Sequence, residues 1–271
     1  MRILHLDSGR EMRGGQWQVM RLIEGLAAEG IESTLLARAG SPLFEAARKQ
    51  GWRVEPLGLT RAVRALRSHV LVHAHDARSH TMGVLLRSRP LVVSRRVAFP
   101  VGSRWKYGKA RRYIAVSEFV KGVLMEGGVD ERRISVVHDG VPVLEVSRGT
   151  GVLRLEKGRA PSDLEAALAQ AAIVVYRTDS EGLGSGALLA MSAGIPVVAS
   201  DVGGLREIIT HGENGFLAGT DLEMEAAVRR LEEDRELARR IGEAARQTVM
   251  ERFTVDRMVH RTLEVYRMVV E

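Results

Sequence analysis

Short apolar runs alternate with stretches of helical period along the first half of the chain. Arg2–Leu6 reads as a strand, Gly14-Gly15 follow it, and Val19, Leu22, Ile23 and Leu26 then share one helical face. Gly30 ends that helix. Ser33–Ala37 is predicted as a second strand, and Ser41-Pro42 opens the next helix with proline in its first turn. Val70–His73 and Leu91–Ser94 are predicted strands on either side of a helix over Ala77–Leu86. Tyr113–Val116 is a fifth strand, Ser117 caps a helix to about Met125, and Ile134–His138 is a sixth strand. Strands separated by helices imply a mainly parallel sheet with helices on both faces. Pro100–Arg112 has no period and is predicted as a basic surface loop.

From about residue 141 a second, smaller α/β unit is predicted. Val152–Leu155 is a strand, Ser162–Ala171 a helix and Ile173–Tyr176 a strand that runs into the glycine-rich Glu181–Gly186. Ala187–Ala193 is a short helix, Pro196–Ser200 a strand, Leu205–Thr210 a helix and Gly215–Ala218 a short strand. Two helices, Leu222–Met250 and Val255–Val270, close the pattern. The expected architecture is α/β with two Rossmann-like parallel-sheet halves, 1–140 complete and 141–271 abbreviated.

Composition changes this picture in two places. The chain has no cysteine, which excludes disulfides, thiolate metal sites and cysteine nucleophiles. Its charge is uneven: residues 1–140 carry 24 Lys/Arg against 13 Asp/Glu, and residues 141–271 carry 16 against 21. A basic half beside an acidic one points to an anionic partner, although a general preference for surface arginine would give the same count. Nucleic acid is not expected, because no nucleic-acid module or aromatic platform accompanies the basic half. Met1–Asp7 lacks the length and cleavage site of a signal peptide, and no apolar stretch approaches the ~20 residues of a membrane span. A cytoplasmic location is expected, with contact to the inner face of an anionic membrane compatible with the basic half.

Three segments carry candidate chemistry. Gly14-Gly15 lies between a strand and a helix, where glycine lets backbone N–H groups approach an anion and the helix N-terminus favours it; a plain tight turn explains the pair as well. His73-Ala74-His75-Asp76 lies at the carboxyl end of a predicted strand, where ligands of open α/β sheets bind. The two histidines are expected on opposite faces and not as a paired metal site; one buried and one exposed histidine without a role would fit the same residues, and His75 is the functional candidate because of where it sits. The third segment runs from Asp179 to Ile208 as strand end, acid-bearing glycine loop, helix, strand, double glycine and helix. Glu181 stands at the mouth of the loop as a charged acceptor for hydroxyl groups.

Here the sequence resembles the family-4 retaining glycosyltransferases of GT-B architecture. Their donor half carries a motif like S-E-G-F-G-x-x-x-L-E-A-M-A-x-G-x-P-V-V-A-S, then G-G-x-x-E-I-I and N-G-x-L. This chain has Ser180–Ser200, Gly203–Ile209 and Asn214–Leu217 in those places. Gly14-Gly15, His73-Ala74-His75, Ile114–Ser117 and His138–Val141 are similar to further family segments, and Val255–Tyr266 to the closing helix that in the family crosses back to the first domain.

The resemblance implies transfer of a sugar from a nucleotide-sugar donor with retention at the anomeric carbon, no cofactor and no metal. The acceptor is unidentified, with lipid-linked and phosphorylated molecules as candidates. Gly14, Gly15, Arg154 and Lys157 would meet the donor phosphates. Glu181 with Gly182, Leu183, Gly184 and Ser185 would hold the sugar, and His75 would sit beside the reacting carbon. Two departures stand out. The family's second glutamate falls at Leu189, and Arg154-Leu155-Glu156-Lys157-Gly158 reads as a compressed G-R-L-x-x-x-K-G loop. About two or three βα units of ~30 residues are missing after it. Weak activity is therefore expected; the alternative is a catalytically impaired sugar- or nucleotide-binding scaffold.

Overall fold

The structure, a computed structural model, describes residues 1–86, 90–156 and 163–271, without the side chains of Arg104 and Glu156. The chain forms two parallel-sheet units, one of 1–137 with 258–271 and one of 138–257.

In the first unit the elements alternate strictly. They are β1 (Arg2–Asp7), α1 (Gly14–Ala28), β2 (Glu32–Ala37), α2 (Pro42–Lys49), β3 (Val54–Pro56), α3 (Leu59–Ala65) and β4 (Leu71–Ala74). After them come α4 (Ala77–Leu86), β5 (Leu91–Arg95), α5 (Arg104–Tyr107), β6 (Arg112–Ala115), α6 (Glu118–Glu126) and β7 (Ile134–Val136). The seven strands lie in the order β3-β2-β1-β4-β5-β6-β7. β1 is buried along nearly its whole length, as a central parallel strand covered on both faces must be. The order reverses between β1 and β4, which makes their carboxyl ends the crevice where an open sheet accepts ligands.

The second unit contains β8 (Gly151–Glu156), α7 (Leu164–Ala169), β9 (Ala171–Arg177), α8 (Ser185–Ser192), β10 (Val197–Ser200) and α9 (Leu205–Ile208). It continues with β11 (Phe216–Ala218), α10 (Asp221–Glu233) and α11 (Arg235–Arg252). Its four strands run β11-β10-β9-β8 without reversal. Ile173, Val175, Val198 and Phe216 pack beneath Met224, Val228, Leu231 and Ile241 of the two long helices. The final helix, α12 (Val255–Val270), returns from Met258 onward to the first unit, where Val259 lies against Gly25 of α1.

Several sequence expectations are corrected. The segment Pro100–Arg112 is not a plain loop: it contains α5, and Arg112 already opens β6. Tyr107 is buried and stacks on Tyr113 at 5.5 Å, which anchors the segment from inside. Leu222–Met250 is two helices. Asp234 closes α10 and caps α11 by accepting from Leu237 N at 2.9 Å. β3 and α3 were not anticipated. Arg154 lies inside β8 and not in a loop after it. Lys157 and the start of the helix at Ser162 lie outside the described residues. Among the described residues no helix is long and apolar enough to cross a membrane.

The second unit's glycine loops interlock. Gly184 has φ +104, and a Cβ there would meet Leu205 Cδ2 at 2.6 Å. A Cβ on Gly204 would collide with the carbonyl of Gly182, and Gly204 N donates to Glu181 O at 3.1 Å. Gly184→Ala is therefore expected to cost ~1–3 kcal/mol from left-handed strain alone. Urea unfolding checks it: an unchanged midpoint would mean that the loop relaxes freely.

Candidate functional site

In the first unit, the site grows from the pairing of β1 with β4. His5 lies opposite His73 in the ladder, so both imidazoles leave the same face. Residues two apart on a strand also share a face, and this corrects the expectation for His73 and His75: their rings lie 4.0 Å apart, and both are buried. His5 stacks on His75, with Nδ1 and Nε2 of the two rings at 3.0 Å. Ser33 Oγ stands 3.3 Å from His5 Nε2. His73 is held at both nitrogens, by the Tyr266 hydroxyl at 2.6 Å and Ser94 Oγ at 2.8 Å. The ligand atoms of the three histidines lie within 4.8 Å of one another, a candidate metal group that the sequence reading did not foresee. Among the described residues His75 Nδ1 is buried without a hydrogen-bond partner.

Burial keeps these rings neutral. It pulls His5 down to about 3, aided by His69, and holds His73 and His75 well below the usual histidine value, with the other histidines of the trio adding to the effect. At the carboxyl ends, Asp76 accepts from Ser8 N (2.6 Å), Ser8 Oγ (2.7 Å) and Ser79 Oγ (2.6 Å). Burial opposes its charge, but the hydrogen bonds from Ser79 and Ser8 outweigh it and bring the carboxyl below the ordinary aspartate value. Asp7 has fewer donors, Gly9 N at 2.8 Å and Gln16 Nε2 at 3.1 Å. Burial, then the nearby Asp76, raise its pKa.

Gly14 and Gly15 open α1, whose N-cap, Arg13, offers no side-chain cap. A Cβ on Gly15 would meet nothing within 4 Å, so the protein's own packing does not demand glycine there. α8 begins likewise, with Gly184 as N-cap and no side-chain cap for the amides of Ser185 and its successors. By contrast Ser41, Ser117, Asp163, Thr220 and Asp234 cap their helices with side-chain oxygens. The short α3 and α9 also lack such a cap.

Beside the start of α8, Glu181 is fixed by two donors. The Tyr176 hydroxyl donates to Oε2 at 2.8 Å and Gly182 N to Oε1 at 2.9 Å. Gly182, Leu183 and Gly184 are buried and Ser185 half-buried. Leu189 is also buried. Arg154 points at α10 and forms a bidentate pair with Glu225 at 2.8 and 3.0 Å.

Against known families, the chain matches the description Glycosyltransferase Family 4 over residues 12–143 and Glycosyl transferases group 1 over residues 155–248. The chain belongs to the family-4 glycosyltransferases. This glycosyltransferase is 33% identical over 101 residues to the N-acetyl-alpha-D-glucosaminyl L-malate synthase of Bacillus anthracis, covering 36% of this chain and 26% of that protein. It is 29% identical over 275 residues to the alpha-maltose-1-phosphate synthase of Mycobacterium tuberculosis, covering 96% of this chain and 69% of that one. In fold it is similar to Anabaena HepE solved with UDP-glucose, at TM-score 0.87 and 16% identity over 99% of this chain and 100% of that one. The pneumococcal O-GlcNAc transferase GtfA, solved with UDP and GlcNAc, superposes at TM-score 0.82 with 9% identity, over 100% of this chain and 99% of that one.

Sequence reading missed His5, Asp7, Tyr176 and Tyr266 in this glycosyltransferase. A usable signal existed for His5, a polar residue inside an otherwise apolar central strand. None existed for Tyr266, which reaches His73 from 193 residues away.

The buried histidines generate a pH dependence. Their folded pKa lies below the unfolded value, so the unfolded chain takes up protons first as pH falls. Stability is full above about pH 6.5 and declines toward the folded values, about 3 for His5 and about 4 for His80. His5 alone accounts for about 2 kcal/mol lost at pH 5. Asp7, with its raised pKa, acts in the opposite sense. Urea midpoints at pH 7.5 and 5 test this, and equal midpoints would show that the rings are not buried as described.

Proposed function

We propose that this family-4 glycosyltransferase moves a sugar from a nucleotide-diphosphate donor to an acceptor with retention at the anomeric carbon. The observation that carries the reading is Glu181, a carboxylate held by the Tyr176 hydroxyl and Gly182 N beside the uncapped start of α8. A fixed carboxylate beside a helix start that no N-cap side chain covers is suited to a polyhydroxylated ligand, because charge-assisted bonds to hydroxyls are the strong ones. HepE and GtfA were solved with UDP and sugars, and this supports the same donor class here. Glu181, Gly182, Leu183, Gly184 and Ser185 serve the donor sugar in this reading, and His75 acts beside the reacting carbon. Gly14 and Gly15 accept the phosphates, since open space at Gly15 leaves room for an anion at the helix start. No metal or cofactor is assigned a role.

Turnover is slow in this reading. Leu189 supplies no carboxylate for the ribose, and Arg154 is engaged with Glu225. The second reading, a weakly binding scaffold, draws on the same two residues.

Calorimetric titration with a panel of nucleotide diphosphates and their sugars, with sugar release followed in parallel, tests both readings. Glu181→Ala is expected to lower sugar release more than tenfold, as the loss of ~1.5–3 kcal/mol per charged hydrogen bond requires. Gly15→Ala is expected to leave the unfolding midpoint within ~1 kcal/mol of the parent while weakening nucleotide binding. Binding without turnover selects the scaffold. Absence of binding to every member of the panel removes both.

The acceptor in this proposal is anionic and lipid-linked. Around the basic segment Phe99 is 63% exposed and Trp105 55% exposed, with Lys109 and Arg111 exposed beside them. Aromatic side chains that alternate with bases suit a lipid interface, where each base adds about 1 kcal/mol on an anionic surface. Flotation with phosphatidylglycerol vesicles is expected to retain the parent at low salt and to lose the Phe99→Ser/Trp105→Ser double variant. Equal retention on neutral vesicles would remove the electrostatic part of the argument.

A further inference from the structure

The histidine trio contains one ring that the proposed reaction uses and two that it leaves unexplained. Among the described residues, five of the six ring nitrogens have hydrogen-bond partners, and the exception is Nδ1 of His75. An orphaned buried nitrogen costs stability, and one retained at the crevice between β1 and β4 is a group placed for a ligand. What it offers a ligand depends on where the proton of the neutral ring sits.

That location is dictated from behind. If Ser33 donates to His5 Nε2, His5 carries its hydrogen on Nδ1 and donates to His75 Nε2, so His75 carries its own hydrogen on Nδ1. If His5 instead donates to Ser33, its Nδ1 accepts from His75 Nε2, and His75 Nδ1 is bare. The two arrangements turn the same free atom into a donor or an acceptor without moving a heavy atom. His73 takes no part in the exchange, because Tyr266 and Ser94 occupy both its nitrogens. It forms a wall 4.0 Å from the His75 ring. The same double occupation argues against a metal among the three rings, since coordination through His73 would strand a buried hydroxyl.

We infer that His5, backed by Ser33, is a positioning residue that locks His75 into one ring orientation and one tautomer, and so sets whether its free nitrogen gives or receives a hydrogen bond at the reacting sugar. The kinetic part of this inference rests on the glycosyl-transfer reading, but the tautomer itself does not.

Histidine-selective nitrogen NMR on the full chain separates the two. The His75 signals are assigned by their loss in His75→Asn, and protonated and bare ring nitrogens are distinguished by chemical shift. The parent is expected to show His75 in a single neutral tautomer. His5→Leu, which removes the partner, is expected to give mixed tautomers. His5→Asn, whose amide reaches close to the Nδ1 position, is expected to restore a single form. Ser33→Ala, at a half-buried site that leaves both rings in place, is expected to shift the His75 nitrogens through His5 and guards against a folding failure in His5→Leu. In a turnover assay with the best-bound donor, His5→Leu is expected to lower kcat about ten- to a hundredfold with little change in donor KM, and His5→Asn to recover most of it. Unchanged His75 nitrogen shifts in both Ser33→Ala and His5→Leu would reduce His5 to packing and overturn the inference. So would one equivalent of zinc that shifts all three rings together, since the trio would then be a metal site. Mixed tautomers in His5→Leu alongside a parent that turns over no donor would leave the positioning intact and sink only the reaction.

Discussion

The register of β1 against β4 is the constraint on which the first unit's chemistry depends. With His5 opposite His73, two imidazoles share a face across the ladder, and His75 joins them two residues further along. A slip of one residue would send His5 to the other face and leave His75 without its partner. The same register ends both strands together, so that Ser8 of the β1 loop reaches Asp76 with its amide and hydroxyl. Asp76 holds the start of α4 as well, through Ser79 N at 3.0 Å. One strand pairing thus fixes three neutral rings, one charged carboxylate and the origin of a helix.

The second unit achieves a comparable fixity with backbone alone. The loops after β9 and β10 approach so closely that side chains are excluded at Gly184 and Gly204, and the amide of Gly204 is tied to the carbonyl of Glu181. The Glu181 main chain is clamped by this contact, and the Tyr176 hydroxyl aims its side chain. The division among helix starts follows the same logic. α2, α6, α7, α10 and α11 start on Ser, Thr or Asp caps, whereas α1 and α8 begin on glycine at the strand ends and the short α3 and α9 also start without a side-chain cap.

Much of this was legible in the sequence because two periods rarely conflict in a parallel α/β chain. The order of glycine loop, helix and strand over Glu181–Ser200, the α1 face, the helix opened by Ser41-Pro42 and the cap at Ser117 all follow from residue type and spacing. The failures are physical. β3 and α3 offer only Val54 and a half-apolar helix rich in arginine, too little signal for a strand of three residues and a helix of seven. The break at Asp234 hid inside a charged run, where a residue that ends one helix and caps the next looks like another solvated acid. The face of His73 and His75 was misjudged because alternation was applied between residues two apart. Arg154 fell both in the predicted strand Val152–Leu155 and in the segment that resembles a compressed family loop; the strand prevails, because the backbone stays paired with β9 through Glu156.

The return of α12 has a consequence for how the chain is made. The first unit is discontinuous: its sheet is encoded within the first 137 residues, yet Tyr266 and Val259, which cover His73 and Gly25, belong to the final segment. On a ribosome the second unit emerges whole and can fold while the first still waits for its last helix. For that interval an apolar strip of α1 and a buried imidazole of β4 stand open to solvent and to other chains. Of the two units, the one whose synthesis starts earlier is completed later, and its exposure lasts as long as the other takes to be made.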